Sequence, residues 1–560
     1  MAMVIDVHIT EKSFGPKLLM TDVRLSVGDR EKVGVIGRNG AGKSTLFGIL
    51  TGADKDFMGK VTYRKGMSVV ATAQEHHQID DMTVIEYILR GLPEYASLKH
   101  IIDTYPAKMG DNMKLIDEYT AALDRFGQRG FYQIEELVAE ELRNFQLEGV
   151  EERAFGTLSG GQKRLVEVVK VMHSDAHLAL LDEPTNHMDY VAKAQFIDWM
   201  KSSTTAMLVI THDRDVLKHV DRIIELKDGN TVSYRGNYDD YLKQNALATG
   251  NAMGDYEQVE RQKANLRDKI VQFRRLKERA RDPDTIKQFK RREMQAAARL
   301  EELEKVERPT FWIDRDNVAQ LDYKVAGRYD KYKARNIRLS VRDGAMRSQR
   351  KLIEARDLAL GYGDNLLFEG VNIDLREGEV AELRGRNGAG KSTLIRALLA
   401  PIESEVDRLN SITFFDGTLK LDPHVKVGVY EQEIASTYLD LTLHDAIERM
   451  YLDRNLAISE TKIRQLMGDY LFTESDGGIA LGRLSGGQKA RFQIISMLAN
   501  DPQLLILDEP TNHLDLPSIE ELEVALERYS GAILYVSHDN YFRAKLGGEV
   551  IMVGGDEKAR

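Results

Sequence analysis

A chain of 560 residues without a single cysteine cannot rely on disulfides, thiolate zinc sites or iron–sulfur clusters. With 42% hydrophobic and 30% charged residues it can bury sizeable cores, yet no run approaches the ~20 consecutive apolar residues of a membrane span. The formal net charge of −11 argues against a uniformly basic nucleic-acid binder, and the first residues lack the apolar centre of a signal peptide, so a cytoplasmic location is expected.

In chain order, residues 4–36 read as strand-rich, and the apolar run Lys32–Gly37 leads into GRNGAGKST. A Gly-rich loop between a strand and a helix turns backbone N–H groups toward phosphates, and the helix N-terminus adds partial positive charge. Gly37, Asn39, Gly40, Gly42, Lys43, Ser44 and Thr45 are therefore candidate ATP-binding residues, with Lys43 for the β- and γ-phosphates and the Ser44 hydroxyl for Mg²⁺. The same nine residues return at Gly385–Thr393, which makes Gly385, Asn387, Gly388, Gly390, Lys391, Ser392 and Thr393 their counterparts. Gln74 and Gln432 each close a β-patterned run after these loops and are expected to contact Mg²⁺ and water.

Leu158 stands 84 positions after Gln74, whereas Leu484 stands 52 after Gln432. The first copy thus carries about 32 extra residues, read as a helical insertion at about 83–130. Two readings of it stay open: a partner-binding arm and an added packing layer.

The stretch from Leu158 to Asp189, LSGGQ through DEPTNHMD, recurs without a gap 326 residues later, from Leu484 to Asp515. Repetition at a fixed offset sets the domain count at two copies of one nucleotide-handling domain. Ser159, Gly160, Gly161 and Gln162, like Ser485, Gly486, Gly487 and Gln488, open a helix and form a second anion site. The apolar strands that follow end in Asp182-Glu183 and Asp508-Glu509, a metal-binding carboxylate beside one that orients or deprotonates water. His212 and His538 stand 29 residues beyond those glutamates in both copies, in reach of a γ-phosphate. Asp182 and Asp508, with Ser44, Ser392, Gln74 and Gln432, make the candidate metal set; Glu183, Glu509, His212 and His538 are the candidate catalytic groups.

Both copies resemble ATP-binding cassette ATPase domains, and their tandem arrangement without membrane spans resembles the ABC-F family, over nearly the whole chain. The resemblance implies an α/β fold of two P-loop cassettes in tandem, joined by an α-helical hairpin. It implies ATP and Mg²⁺ as cofactors, and adenine stacked on the aromatic before each loop, Phe14 and Tyr362. It also implies head-to-tail cassettes, with Ser485 and Gly487 completing the Lys43 site, Ser159 and Gly161 completing the Lys391 site, and Asp189 at the interface. Pairing within one chain makes a monomer the expected state.

Residues 1–245 are assigned to the first cassette, 246–325 to the linker, 326–350 to a connector and 351–560 to the second cassette. In the linker, Val259, Leu266, Ile270 and Phe273, then Ile286, Phe289, Ala296, Leu300 and Leu303, follow heptad-like spacing. Pro283 divides them, which predicts two antiparallel helices of about 25 residues and ~40 Å each. From Arg274 to Arg292 nine Lys or Arg face three acids, a basic tip on an acidic protein that suits phosphates. Arg281, Lys287, Lys290, Arg291 and Arg292 are the candidate RNA contacts. In ABC-F proteins this linker reaches toward the tRNA in the P site of the ribosome, and the insertion resembles their ribosome-contacting arm. The leading expectation is a ribosome-associated ATPase that contacts rRNA and P-site tRNA, is released on hydrolysis, and adjusts tRNA or drug occupancy. General translation and antibiotic resistance both fit it. A DNA-handling ATPase and the ATPase subunit of a membrane transporter are the lesser alternatives.

Overall fold

The computed structural model describes residues 3–14, 17–73, 81–110, 112–186, 188–306, 337–339, 350–400, 412–431 and 434–554, with Phe14 and Lys17 described by backbone alone. The roles expected of Gln74, Gln432 and the Phe14 ring lie outside the described residues and side chains, as does most of the 326–350 connector. The chain divides into two compact units, residues 1–238 with 337–560, and residues 239–336.

The first unit holds both cassettes, and each is built on a mainly parallel sheet, with Asn230–Arg235 antiparallel at the edge of the first. Strands in such a sheet are covered on both faces, so they read as unbroken apolar runs; Leu178–Asp182, Ala206–Ile210 and Ala532–Val536 are buried along their whole length. In the first cassette the order is Asn230–Arg235, Arg222–Lys227, Lys32–Gly37, Ala206–Ile210, Leu178–Asp182, Val69–Ala71. In the second it is Val427–Tyr430, Leu504–Asp508, Ala532–Val536, Val380–Arg384, Glu549–Met552. In both, the strand that ends in Thr-His-Asp or Ser-His-Asp lies between the phosphate-loop strand and the Asp-Glu strand. Ligands of open α/β sheets bind beyond the carboxyl ends of the strands, so this order gathers Lys, Asp-Glu and His at one edge.

A smaller antiparallel sheet covers each cassette: Met3–Phe14 pairs with Lys17–Met20, Val23–Gly28 and Met58–Tyr63, and Lys351–Tyr362 pairs with Asn365–Arg376 and Ile412–Leu421. The strand-rich reading of residues 4–36 therefore holds. The apolar faces of these sheets meet the phosphate-loop helix, Lys43–Thr51 or Lys391–Leu399, in one core per cassette.

The insertion in the first cassette is helical as expected. Val84–Gly91, Tyr95–Thr104, Met113–Gln128 and Ile134–Asn144 occupy the region where the second cassette has Leu443–Asp453 and Glu460–Asp469 as its two longest helices. Thr83 and Thr442 cap the matching first helices with their hydroxyls. The base of the insertion is packing: the rings of Tyr95, Phe126 and Phe131 lie 5.2–5.7 Å apart and join the core of the signature helix Gly160–Met172. Its far end is exposed at Met113, whose relative exposure is 68%.

The second unit is a helical hairpin with a correction to its length. The helices run Tyr238–Arg279, 42 residues, and Pro283–Glu304, 22 residues, where about 25 each were expected. At 1.5 Å per residue the longer one spans ~63 Å. Asp282 caps the second helix and Pro283 takes its first turn, where the missing N–H costs nothing. The seam is as read: Ile270, Ala296 and Leu303 are buried. Arg267 bonds Glu304, and Arg274 and Lys277 bond Glu293, which fixes the antiparallel pairing.

Candidate active site

Each phosphate loop leaves its strand at a glycine that nothing larger could replace. A Cβ on Gly37 would lie 2.6 Å from the Leu226 carbonyl oxygen, and one on Gly385 would lie 2.3 Å from that of Val553. Lys43 Nζ donates to the carbonyls of Gly37 (2.7 Å) and Arg38 (3.2 Å), and Lys391 Nζ to those of Gly385 (2.7 Å) and Arg386 (2.9 Å). Burial lowers the pKa of both amines. Each ammonium is thus held on the loop's own carbonyls at the first turn of a helix, whose N-terminus is the kind of site that receives phosphate.

Ser392 Oγ donates to Asp508 at 3.0 Å, which brings together the two expected metal groups of the second cassette. Glu183 and Glu509 occupy left-handed backbone, φ 45° and 51°, a strained conformation for a side chain of this size and one concentrated at functional sites. Their N–H groups bond the strand carrying the histidine, at Ile210 O (2.7 Å) and Val536 O (3.0 Å). Each carboxylate in turn accepts the histidine's backbone N–H, at 3.3 Å from His212 and 3.2 Å from His538.

Burial, and for Glu183 the neighbouring Asp182 carboxylate, push both glutamate pKa values up to about 7. Burial, with the nearby Lys43 or Lys391 ammonium, pushes His212 and His538 down to about 3. Near neutral pH the glutamates are poised to exchange a proton and the imidazoles are neutral. Both ring nitrogens of His212 are buried without a hydrogen-bond partner among the described residues. A buried polar atom left so calls for a ligand, and a phosphoryl oxygen between Lys43 and His212 would meet that need.

The two cassettes complete each other. Asp189 caps its own helix with one carboxylate oxygen, and its other oxygen accepts the N–H of Asn387 at 3.3 Å in the opposite phosphate loop. Asp515 does the same to Asn39, at 2.9 Å. Asn39 Nδ2 also donates to the His513 carbonyl at 3.1 Å. The signature of the second cassette is pressed so close that a Cβ on Gly487 would fall 1.9 Å from Asn39 Nδ2. Misplacing a catalytic constellation by ~1 Å can cost ~100-fold. Gly487→Ala should therefore lower steady-state ATPase activity at least about tenfold, measured by phosphate release.

One cavity of about 1230 Å³ joins both halves. It is lined from the first cassette by Asn39, Gly40, Gly42, Lys43, Ser44, Thr45, Asp182, Glu183 and His212, and from the second by Tyr362, Asn387, Gly388, Gly390, Lys391, Ser392, Thr393, Asp508, Glu509 and His538. Ser485, Gly486 and Gly487 also line it; Ser159, Gly160, Gly161, Gln162 and Gln488 do not. Both signature helices open with a reciprocal capping box, Ser159 with Gln162 and Ser485 with Gln488, at 3.0 and 3.3 Å in each. Tyr362 Oη lies 3.1 Å from Thr393 Oγ1, beside the helix that starts at Lys391.

Sequence reasoning missed the charged residues flanking the histidines. Lys193, Arg214, Asp215, Glu523, Asp539 and Asn540 make contacts across the cassette boundary. Comparing the two copies position by position would have shown all of them but Asp539, which matches Asp213, to differ, without showing that they meet.

Two phosphate loops, each facing an Asp-Glu strand end, a histidine and the other cassette, define a tandem cassette ATPase. The sequence pattern of the ABC transporter family matches residues 20–186 and 368–512, more than half of the chain, and a second pattern of the same description matches 224–319. The putative ATP-binding protein YdiF of Bacillus subtilis (strain 168) is 29% identical over 98% of this chain and 80% of its own length. The probable ATP-binding protein YbiT of Escherichia coli O157:H7 is 27% identical over 98% of this chain and 96% of its own. A solved complex of the archaeal ribosomal stalk protein aP1 and the archaeal ribosome recycling factor aABCE1 has the same fold, with TM-score 0.56 at 17% identity, covering 98% of this chain and 87% of that one. The chain belongs to the ABC family, in its tandem ABC-F form, and it hydrolyses ATP. No helix among the described residues is long and apolar enough to cross a membrane.

Proposed function

We propose that this chain is a ribosome-associated ATPase: it binds in the ATP state, acts through its hairpin on P-site tRNA position or drug occupancy, and leaves after hydrolysis. The observation that carries this reading is the hairpin tip. Arg281, Lys287, Lys290, Arg291 and Arg292 are all exposed, and among the described residues none of them makes an ion pair. The neighbouring Arg274 and Lys277 share the single carboxylate of Glu293, whereas the five at the turn have no acidic partner among the described residues. Charge of that kind on a protein of net −11 suits phosphodiester backbones, with little sequence readout.

In this reading each site binds ATP on its phosphate loop. Ser44 with Asp182, and Ser392 with Asp508, would hold Mg²⁺, helped by Gln74 and Gln432. The ion would neutralise charge building on the phosphates. Glu183 and Glu509 orient the attacking water and take its proton; the neutral His212 and His538 hold the γ-phosphoryl oxygens. Tyr362 would stack on the base of one nucleotide, and the resemblance gives Phe14 the same part at the other. The helix starts at Ser485 and Ser159 cover the phosphates, so two nucleotides hold the cassettes together and hydrolysis releases them.

The test is sucrose-gradient sedimentation of the Glu183→Gln, Glu509→Gln protein with 70S ribosomes, in ATP and in ADP. Co-migration in ATP alone is expected; absence from the ribosomal fractions in both nucleotides overturns the reading, and duplex DNA becomes the partner to assay. Replacing the five tip residues with Ala should weaken ribosome binding. It should also flatten the slope of log affinity against log salt by ~0.7–0.9 for each phosphate that the tip no longer engages. An unchanged slope would leave the tip a solvated face.

A further inference from the structure

Lys193 stands on the first turn of the helix Tyr190–Ser202, directly after Asp189, and is 5% exposed. Its ammonium contacts Asp213 at 2.9 Å and Asp215 at 2.6 Å, the residues that follow His212 in its own cassette. Its third contact crosses the boundary: Nζ donates to the backbone carbonyl of His538 at 3.1 Å. An ammonium has three donors and no acceptor, so these three oxygens satisfy it. Lys193 also lines the shared cavity with His538 and Glu509, and its charge acts on both of them.

The fixed offset of 326 residues places Ile519 at the matching position of the second cassette. Ile519 is buried and lines the same cavity, but it can neither donate to the carbonyl of His212 nor pair with a carboxylate. The neighbouring positions are equally unmatched, Arg214 against Asn540, Asp215 against Tyr541 and Glu523 against Ile197. The first cassette supplies the cations here, and the second supplies Glu523 and Asp539 to Arg214.

We propose that Lys193 is a positioning residue acting in trans: it fixes the backbone of His538, and with it the Glu509–His538 pair, so that hydrolysis at the second site depends on the first cassette, without a reciprocal lysine at the first site. His538 Nε2 lies 3.3 Å from Glu509 Oε1, whereas His212 Nε2 is 3.8 Å from Glu183 Oε1. Lys193 meets the backbone of the tighter pair directly and reaches the looser one only through the Asp213 and Asp215 side chains. The two ATP sites are then inherently unequal, with the second gated by the first.

The proposal rests on the assignment of Glu183 and Glu509 to hydrolysis, and the experiment separates the two. ATPase kcat and KM are measured for Lys193→Met and Lys193→Arg in the Glu183→Gln protein, where only the second site turns over, and in the Glu509→Gln protein, where only the first does. Lys193→Met should lower kcat about tenfold in the Glu183→Gln background, with KM changed less than twofold, and less than twofold in the Glu509→Gln background. Lys193→Arg should restore most of the loss. Equal losses in both backgrounds, or none in either, overturn the role of Lys193. Full activity in either Gln background alone overturns the glutamate assignment instead. Should the Met variant fail to fold, Lys193→Met combined with Asp215→Asn, which removes one of the two carboxylates left stranded, carries the same comparison.

Discussion

The Glu183→Gln, Glu509→Gln protein should hydrolyse ATP at least about a hundredfold more slowly than its parent, and be more stable than its parent in nucleotide-free buffer above pH 7. The first effect is the loss of a positioned proton acceptor, a contribution of ~10²–10⁴ in rate. The second follows from the pKa values of about 7 that burial imposes on both carboxyls. A carboxyl whose folded pKa is raised binds its proton more tightly in the folded state. Its contribution to stability is full below the unfolded value near 4.5 and is lost as pH rises through about 7. Glutamine keeps the shape of the neutral acid and never ionises. Relative to the parent the variant should therefore gain roughly 2–3 kcal/mol per site at pH 8 and almost nothing at pH 4. Denaturant unfolding at the two pH values measures it; an equal gain at both would show that the side chains are not desolvated as described.

Arg214→Ala should cost about 3–5 kcal/mol, the largest effect expected from a residue outside the hydrolytic groups. The Arg214 guanidinium pairs with Glu523 and, at 3.0 Å, with Asp539, and its plane lies 4.6 Å from the centre of the Tyr541 ring. Glu523 is 3% exposed, and burial alone would raise its pKa; the arginine offsets part of that rise. Truncation strands two acidic groups in a poorly solvated interface, which costs more than the pair itself contributes. Arg214→Ala combined with Glu523→Gln should recover part of the loss, because one stranded charge is then gone. Denaturation of the two variants decides it, and indistinguishable stabilities would mean that water reaches the pair.

The grouping of side chains at the strand ends was legible in the sequence because each part is local. A phosphate loop, a signature and an Asp-Glu pair are each fixed by residues within a few positions of one another, and doubling them removed the ambiguity of a single match. Even the interface could be read from Asp189, since a phosphate loop and a signature within one domain usually need a second copy to meet. The hairpin was half legible. Its seam follows from spacing, but ALATGNAMG at Ala246–Gly254 carries two glycines, each ~1 kcal/mol worse than Ala in a helix. The helix nevertheless runs through them, with Tyr241, Asn245, Thr249 and Met253 buried one turn apart along a single face. Tertiary burial outweighs local preference there. Lys193 and Arg214 were not legible at all. Their partners lie 345, 309 and 325 residues away, and in isolation each resembles any charged residue near a helix start.

The capping boxes at the two signatures explain a choice of residue. A reciprocal box works with either Glu or Gln at its third helical position. Glutamate there would add a full negative charge beside the positive end of the helix dipole and cancel the field that draws an anion. Gln162 and Gln488 tie the helix start with a neutral amide instead, each accepting the serine N–H at 3.0 Å. The dipole stays available to the phosphate, and an uncharged side chain does mechanical work at a place where a charged one would have acted as a competing ligand.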